Sequence, residues 1–174
     1  RGWFRLVEGA RFGTDVLGRA VPDYASLTHP RVRREDAAGQ TVLPSFPQEF
    51  SSPHRVALGT DPLFWIEVAP LDAQPSRLRI ERGLAVYPDA YADTDVLYKA
   101  TPTHVDEYLL LRAPSAPTRW RFALRRSPAL ARARVVAGAL EVLDAQGCAR
   151  LRASPPFAVD SLGQRRSGAI SLVE

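Results

Sequence analysis

A chain of 174 residues and 19.2 kDa is long enough to close around one hydrophobic core, and its 45% hydrophobic and 24% charged residues exclude the disordered and fibrous classes. No apolar run approaches the ~18 residues of a membrane-spanning helix, and residues 1–20 lack the charged start and apolar stretch of a secretory leader. The net charge is +4, yet 22 of the 23 basic residues are Arg, a skew that GC-rich coding explains, so the basic balance does not by itself indicate a nucleic-acid partner.

Fifteen Pro and 11 Gly punctuate the chain so densely that the longest stretch free of both runs from Asp89 to Thr101. A stable helix wants about three uninterrupted turns, and an interior Pro costs about 3 kcal/mol, so little helix is expected. In chain order, the first expected strand is Trp3 to Glu8. Residues 9–53, rich in Gly, Pro and polar residues, read as an irregular excursion over the core, and 54–174 as the main strand-rich body. There the expected strands are His54 to Leu58, Leu63 to Ala69, Arg77 to Ile80, Leu84 to Tyr87, Thr94 to Lys99, His104 to Arg112, Arg119 to Arg125, Leu140 to Asp144, Ala149 to Ala153 and Ala169 to Val173. In the clearest of them, period two places Trp120, Phe122 and Leu124 on a core face and Arg119, Arg121 and Arg125 on the other.

The connections repeat one design. Asp36-Ala37-Ala38-Gly39, Asp144-Ala145-Gln146-Gly147 and Asp160-Ser161-Leu162-Gly163 each pair an Asp that caps its own turn with a Gly that supplies positive φ. Eleven or so strands at 8 to 12-residue spacing with such turns predict an all-β fold: a two-sheet antiparallel sandwich within a single domain spanning 1–174. Cys148, the one cysteine, excludes an internal disulfide and reads as a small core residue. No Met occurs, so the chain is expected to be a segment of a longer polypeptide.

The run from Tyr87-Pro88-Asp89-Ala90 through Thr94-Asp95-Val96-Leu97-Tyr98, followed by Thr101-Pro102-Thr103-His104-Val105-Asp106-Glu107, resembles a β-rich module of large secreted bacterial proteins. These are the RHS-repeat and polymorphic-toxin-like surface proteins and the multidomain surface proteins of myxobacteria. The Pro-marked strand Ala116 to Phe122, the hairpin at Asp144 to Gly147 and the step Pro155-Pro156-Phe157-Ala158-Val159-Asp160-Ser161-Leu162-Gly163 follow in the same order, so the resemblance covers about residues 83–174. The chain departs from the pattern at His104-Val105-Asp106-Glu107, where the module has Gly-Val-Lys-Glu. The resemblance implies an extracellular, structural or adhesive role and supplies no catalytic residues.

Four constellations bear on chemistry. Gly13 to Ala20 has the glycine spacing of a phosphate-binding loop, but Arg19 and Ala20 stand where such a loop has Lys and a hydroxyl, so it reads as a surface loop. Asp89, Asp93 and Asp95 bunch hard oxygen ligands and are the candidate calcium ligands, against solvated turn carboxylates. His104 and Asp106 would share one strand face beside Glu107, the single local acid/base cluster, with no nucleophile placed nearby. Seven Arg fall between Arg112 and Arg134 without an intervening acid. Alternation points the neighbouring aromatics away from them, which disfavours base stacking and pairs the Arg face with the acidic stretch Asp89 to Glu107.

The expected function is therefore a non-catalytic structural or interaction module of a larger secreted or cell-surface bacterial protein, with no catalytic or cofactor residues beyond the calcium candidate. Its expected partners are neighbouring domains or another protein, not nucleic acid and not a membrane span. Two alternatives stand beside it: a carbohydrate-binding module using Trp3, Tyr24 or Tyr91, and a hydrolase with its site in 9–53.

Overall fold

The computed structural model describes residues 10–24, 41–59 and 63–173. The expected strand at Trp3 to Glu8, the turn at Asp36 to Gly39 and the glycan candidate Trp3 lie outside them. The described residues are strand-built, with no α-helix among them and no closed barrel. They fall into two compact units where composition had suggested one body: the larger lies within Leu6–Arg126, and the smaller begins at Ser127.

In the larger unit the strands are β1 (Arg11–Thr14), β2 (Ala20–Asp23), β3 (Val42–Ser45), β4 (His54–Leu58), β5 (Trp65–Leu71), β6 (Arg79–Glu81), β7 (Leu84–Tyr91), β8 (Thr94–Ala100), β9 (Val105–Leu111) and β10 (Arg121–Arg126). All pair antiparallel, as a β1-β2 hairpin and two four-stranded sheets of order β10-β5-β4-β3 and β6-β7-β8-β9. Within 9–53, the described residues 10–24 and 41–53 are thus less irregular than their Gly and Pro content suggests. They supply β1 to β3, and Phe46 and Phe50, both buried, anchor the core. Pro is tolerated in β3 because that strand is an edge, where a missing N–H costs no ladder bond.

Period two is strict in β8: Thr94, Val96, Tyr98 and Ala100 are buried, and the residues between them are partly exposed. Tyr98 stacks on Phe46 with ring centroids 5.0 Å apart and meets the His54 ring of β4 at 5.2 Å. Phe50 packs on Tyr87 at 5.0 Å and edge-on against Tyr91 at 5.4 Å. This aromatic layer is the hydrophobic filling between the two four-stranded sheets, each ring pair adding about 0.5 to 1.5 kcal/mol to its area burial.

The smaller unit holds β11 (Leu130–Val136), β12 (Ala139–Asp144) and β13 (Ala149–Ala153) as a meander, then β14 (Phe157–Val159) and β15 (Arg165–Ser167) as a hairpin. The expected strand Ala169 to Val173 does not form; the chain pairs four residues earlier, at β15, and residues 169–173 have no regular secondary structure.

One turn recurs atom for atom. At Asp15, Asp144 and Asp160 the Asp Oδ1 accepts the N–H groups two and four residues on, at 2.8 to 3.0 Å. In each, the N–H of the Gly three residues on returns to the Asp carbonyl, with that Gly at φ between 75° and 82°. A Cβ in this left-handed region is penalised by about 1 to 2 kcal/mol, which is why each turn closes on Gly. The glycine-rich segment at Gly13 to Ala20 is therefore the first of these hairpins, joining β1 to β2. Its D-x-x-G spacing at Asp15-Val16-Leu17-Gly18 was the readable signal, masked by Gly13.

Candidate functional site

The carboxylates singled out for calcium do converge, around an arginine. Asp89 sits in an irregularity of the β7-β8 pairing at φ 53°, Asp93 in the following turn at φ 51°, and Asp95 on the outer face of β8. Asp tolerates this left-handed backbone better than most residues. The Asp89 N–H donates to Asp95 Oδ1 at 2.8 Å. The Arg112 guanidinium donates to Asp89 Oδ1 and lies 3.7 Å from Asp95 Oδ1, and the Arg112 N–H donates to the Asp93 carbonyl at 2.9 Å. Ser115 donates its hydroxyl to Asp93 Oδ2 at 2.7 Å.

The positive charge among these acids is thus a guanidinium held from the end of β9, and among the described residues no group of three His, Cys, Asp or Glu is arranged to hold a metal ion. Melting curves with chelator and with millimolar calcium are expected to coincide, because only a ligand that binds the folded state shifts the midpoint. A midpoint raised by calcium would return the three Asp to the role of ligands.

The second constellation forms as alternation requires. His104, Asp106 and Tyr108 share the outer face of β9, with His104 Nε2 3.4 Å from Asp106 Oδ2 and the Tyr108 hydroxyl 3.4 Å from the same oxygen. The exposed Tyr108 and Leu110, at 44% and 55%, complete an apolar stripe with Leu97, which lies directly opposite Tyr108.

Glu107 points the other way, onto the aromatic layer. Its stem is exposed along the sheet edge, while its carboxyl accepts the Tyr98 hydroxyl at 2.7 Å. Burial pushes the Glu107 carboxyl above its usual range, and the Tyr98 hydrogen bond draws it partly back. Tyr98 is pushed well up by burial and by this carboxylate. Nearby, the buried Tyr91 hydroxyl and Trp120 Nε1 have no hydrogen-bond partner among the described residues. Sequence reasoning grouped Glu107 locally with His104 and Asp106 but placed only the latter two on one face, and the one-residue step in the strand sends Glu107 to the opposite face.

Of the other candidates, Tyr91 is not a surface aromatic: it is 3% exposed against Phe50 and Ala90 in the core. The Tyr24 hydroxyl is tied to the Val42 carbonyl at 2.7 Å, which leaves it little freedom to engage a sugar. Trp120 packs on the core as expected, but Phe122 lies on an edge strand and keeps 37% of its surface exposed. The Arg ladder finds its acids elsewhere than expected. Arg121 binds Asp72 through both carboxylate oxygens, Arg125 reaches Glu67 at 3.2 Å, and Arg134 reaches Glu141 at 2.9 Å; Arg112 is the member that pairs within Asp89 to Glu107. The reason is adjacency, since β10 lies beside β5 and β11 beside β12, and those strands carry Glu67 and Glu141. Cys148 is an exposed free thiol at the end of the Asp144 turn, where its N–H rather than its side chain has the structural role.

The comparisons give no family. No protein-family model, curated protein or solved structure matches this chain.

Proposed function

We propose that the chain is a non-catalytic structural or interaction module of a larger secreted or cell-surface bacterial protein. The observation that carries this reading is the free edge of β9. This strand pairs β8 over seven consecutive residues without a bulge, and no other strand among those described pairs with its far side. It bears no Lys, Arg or Pro, and it exposes Tyr108, Leu110 and Leu111. Natural sheets usually guard such an edge, because unpaired N–H and C=O groups beside apolar side chains template strand addition.

Most other edges among the described strands are guarded. β6, β14 and β15 are three residues long, β3 carries Pro44, and β10, β11 and β13 each carry two or more Arg. A bulge-free seven-residue edge without Lys, Arg or Pro is a place for a partner. The secreted or surface setting rests on the resemblance over residues 83–174 and on the recurrent D-x-x-G hairpin.

A carbohydrate-binding reading draws on Tyr108, an exposed aromatic flanked by Asp106 and His104. Two assays separate the readings. The purified chain is expected to turn over no panel of aryl esters and glycosides, and to bind no immobilised glycan in a Tyr108-dependent way. Turnover abolished by Asp106→Asn would make the His104 cluster an active site, and glycan retention lost in Tyr108→Ala would make it an adhesive one.

A further inference from the structure

The β14-β15 hairpin pairs with no other strand among those described. Each of its strands is three residues long, and every residue over 152–169 is exposed. A lone two-stranded hairpin is marginal in water. What closes this one is local. Asp160 Oδ1 accepts the Leu162 and Gln164 N–H groups at 2.9 Å, the Gly168 N–H donates to the Pro156 carbonyl at 2.8 Å, and the Arg165 guanidinium lies over the Phe157 ring at 3.7 Å. Because the side chains are already exposed, opening the hairpin gives up little burial, and the rest of the fold need not follow.

Its second strand begins Arg165-Arg166. We propose that the hairpin is a processing site, at which an arginine-specific endopeptidase cuts after Arg165 or Arg166 while the rest of the chain stays folded. The guanidinium suits such an enzyme because its planar fork of donors pairs with a carboxylate in the specificity pocket. The step is hydrolysis: the peptide C–N bond breaks, and water supplies the hydroxyl of the new Arg carboxyl group and a hydrogen to the new amine. A bond held in a sheet is cut only once the strand has opened, so the cheapest opening selects the site.

The other described arginines are held more firmly. Arg11 and Arg19 belong to the β1-β2 hairpin, but there Ala10 and Ala20 are buried, Ala20 exchanges two bonds of 2.8 Å with Phe46, and Phe12 meets the Phe46 ring. Arg112 and Arg119 flank the loop from β9 to β10, which is tied down by Arg112 on Asp89, by Ser115 on Asp93, by the buried Ala116 and by Trp120 on the core. Arg77 bridges Glu49, and Arg82 sits in the tight turn between β6 and β7. The arginines of β4, β6, β10, β11 and β13 lie in sheets of three or four strands.

The test is limited digestion of the full chain with trypsin, the cuts mapped by intact mass. Among the described residues the first cut is expected after Arg165 or Arg166, and the shortened product should melt as the intact chain does. Measured against a short arginine peptide, the rate should rise less than about twofold between water and about 1 M urea, because local opening exposes little new surface. Phe157→Ala removes the ring under Arg165 and should speed the cut about two- to fivefold. Without any protease, amides at 157–167 should exchange far faster than those of Val142 and Leu143 in β12.

A first cut in the β11-β12-β13 meander or in the larger unit would overturn the proposal. So would a rate that rises about fivefold or more in that urea, as unfolding of a whole unit requires, a Phe157→Ala rate equal to wild type's, or protection at 157–167 equal to that of β12. None of these results touches the module reading, which fails on substrate turnover instead.

Discussion

Phe46→Ala is expected to destabilise the larger unit by about 3 to 5 kcal/mol, the cost of emptying a buried aromatic site whose walls cannot collapse. Phe46 has no solvent exposure, stacks on Tyr98 at 5.0 Å, and touches the Phe12 and His54 rings at 6.1 and 6.5 Å. It therefore couples the β1-β2 hairpin to both four-stranded sheets. Its backbone is committed too: Phe46 exchanges two hydrogen bonds of 2.8 Å with Ala20. Phe122→Ala, at a residue 37% exposed on an edge strand, should cost less than half as much because most of its cavity refills with water. Urea unfolding of the two variants checks this, and an unchanged midpoint for Phe46→Ala would show that the aromatic layer does not hold the sheets together.

Acid should act on the same layer through His54. Burial between the Phe46 and Tyr98 rings pushes the His54 imidazole down to about 4 from its usual 6.5. The folded state therefore holds it neutral, while the unfolded chain takes up its proton first. Stability from this group is complete above pH 6.5 and is lost as the pH falls from there towards about 4, where the folded protein protonates as well. At 1.36 kcal/mol per pH unit the loss is roughly 3 kcal/mol at the end of that window.

Glu107 runs in the opposite sense. Its carboxyl is raised above the usual value, so its contribution is complete below the unfolded value of about 4.5 and is lost as the pH rises through the folded one. The difference between wild type and His54→Phe isolates the histidine, because both carry Glu107. Wild type should lose stability relative to His54→Phe steadily from pH 6.5 to 4, and parallel stability curves would show the ring to be solvated.

How much of this was legible in the sequence varies by residue, for physical reasons. His54–Leu58 and Ala149–Ala153 were read with their observed limits because short apolar-containing runs there lie between turn-forming flanks. The Asp144 and Asp160 turns were legible because their hydrogen bonds close within five residues. β11 was not: its first five residues, Leu130-Ala131-Arg132-Ala133-Arg134, carry no β-branched or aromatic residue, Val135 and Val136 come only at its end, and the strand pairs along its length with β12. β1, β2 and β3 were hidden in a Gly- and Pro-rich stretch for the same reason, since short strands on an edge or in a hairpin are stabilised by what they pair with.

The same division runs through the candidate sites. Local chemistry, carried by side chains a few residues apart, was determined by sequence alone: the all-β class, the D-x-x-G turns and the alternation that puts His104 with Asp106. Which charges meet was not, because an ion pair is made with whatever the neighbouring strand presents. Arg112 reaches Asp89 across 23 residues, Arg121 reaches Asp72 across 49, and both pairings depend on strand order. The burial of Tyr91, the exposure of Cys148 and the edge position of β9 belong to the same class. An edge is defined by the absence of a neighbour in the sheet, a property of the assembled backbone to which a strand's own residues contribute only its polarity.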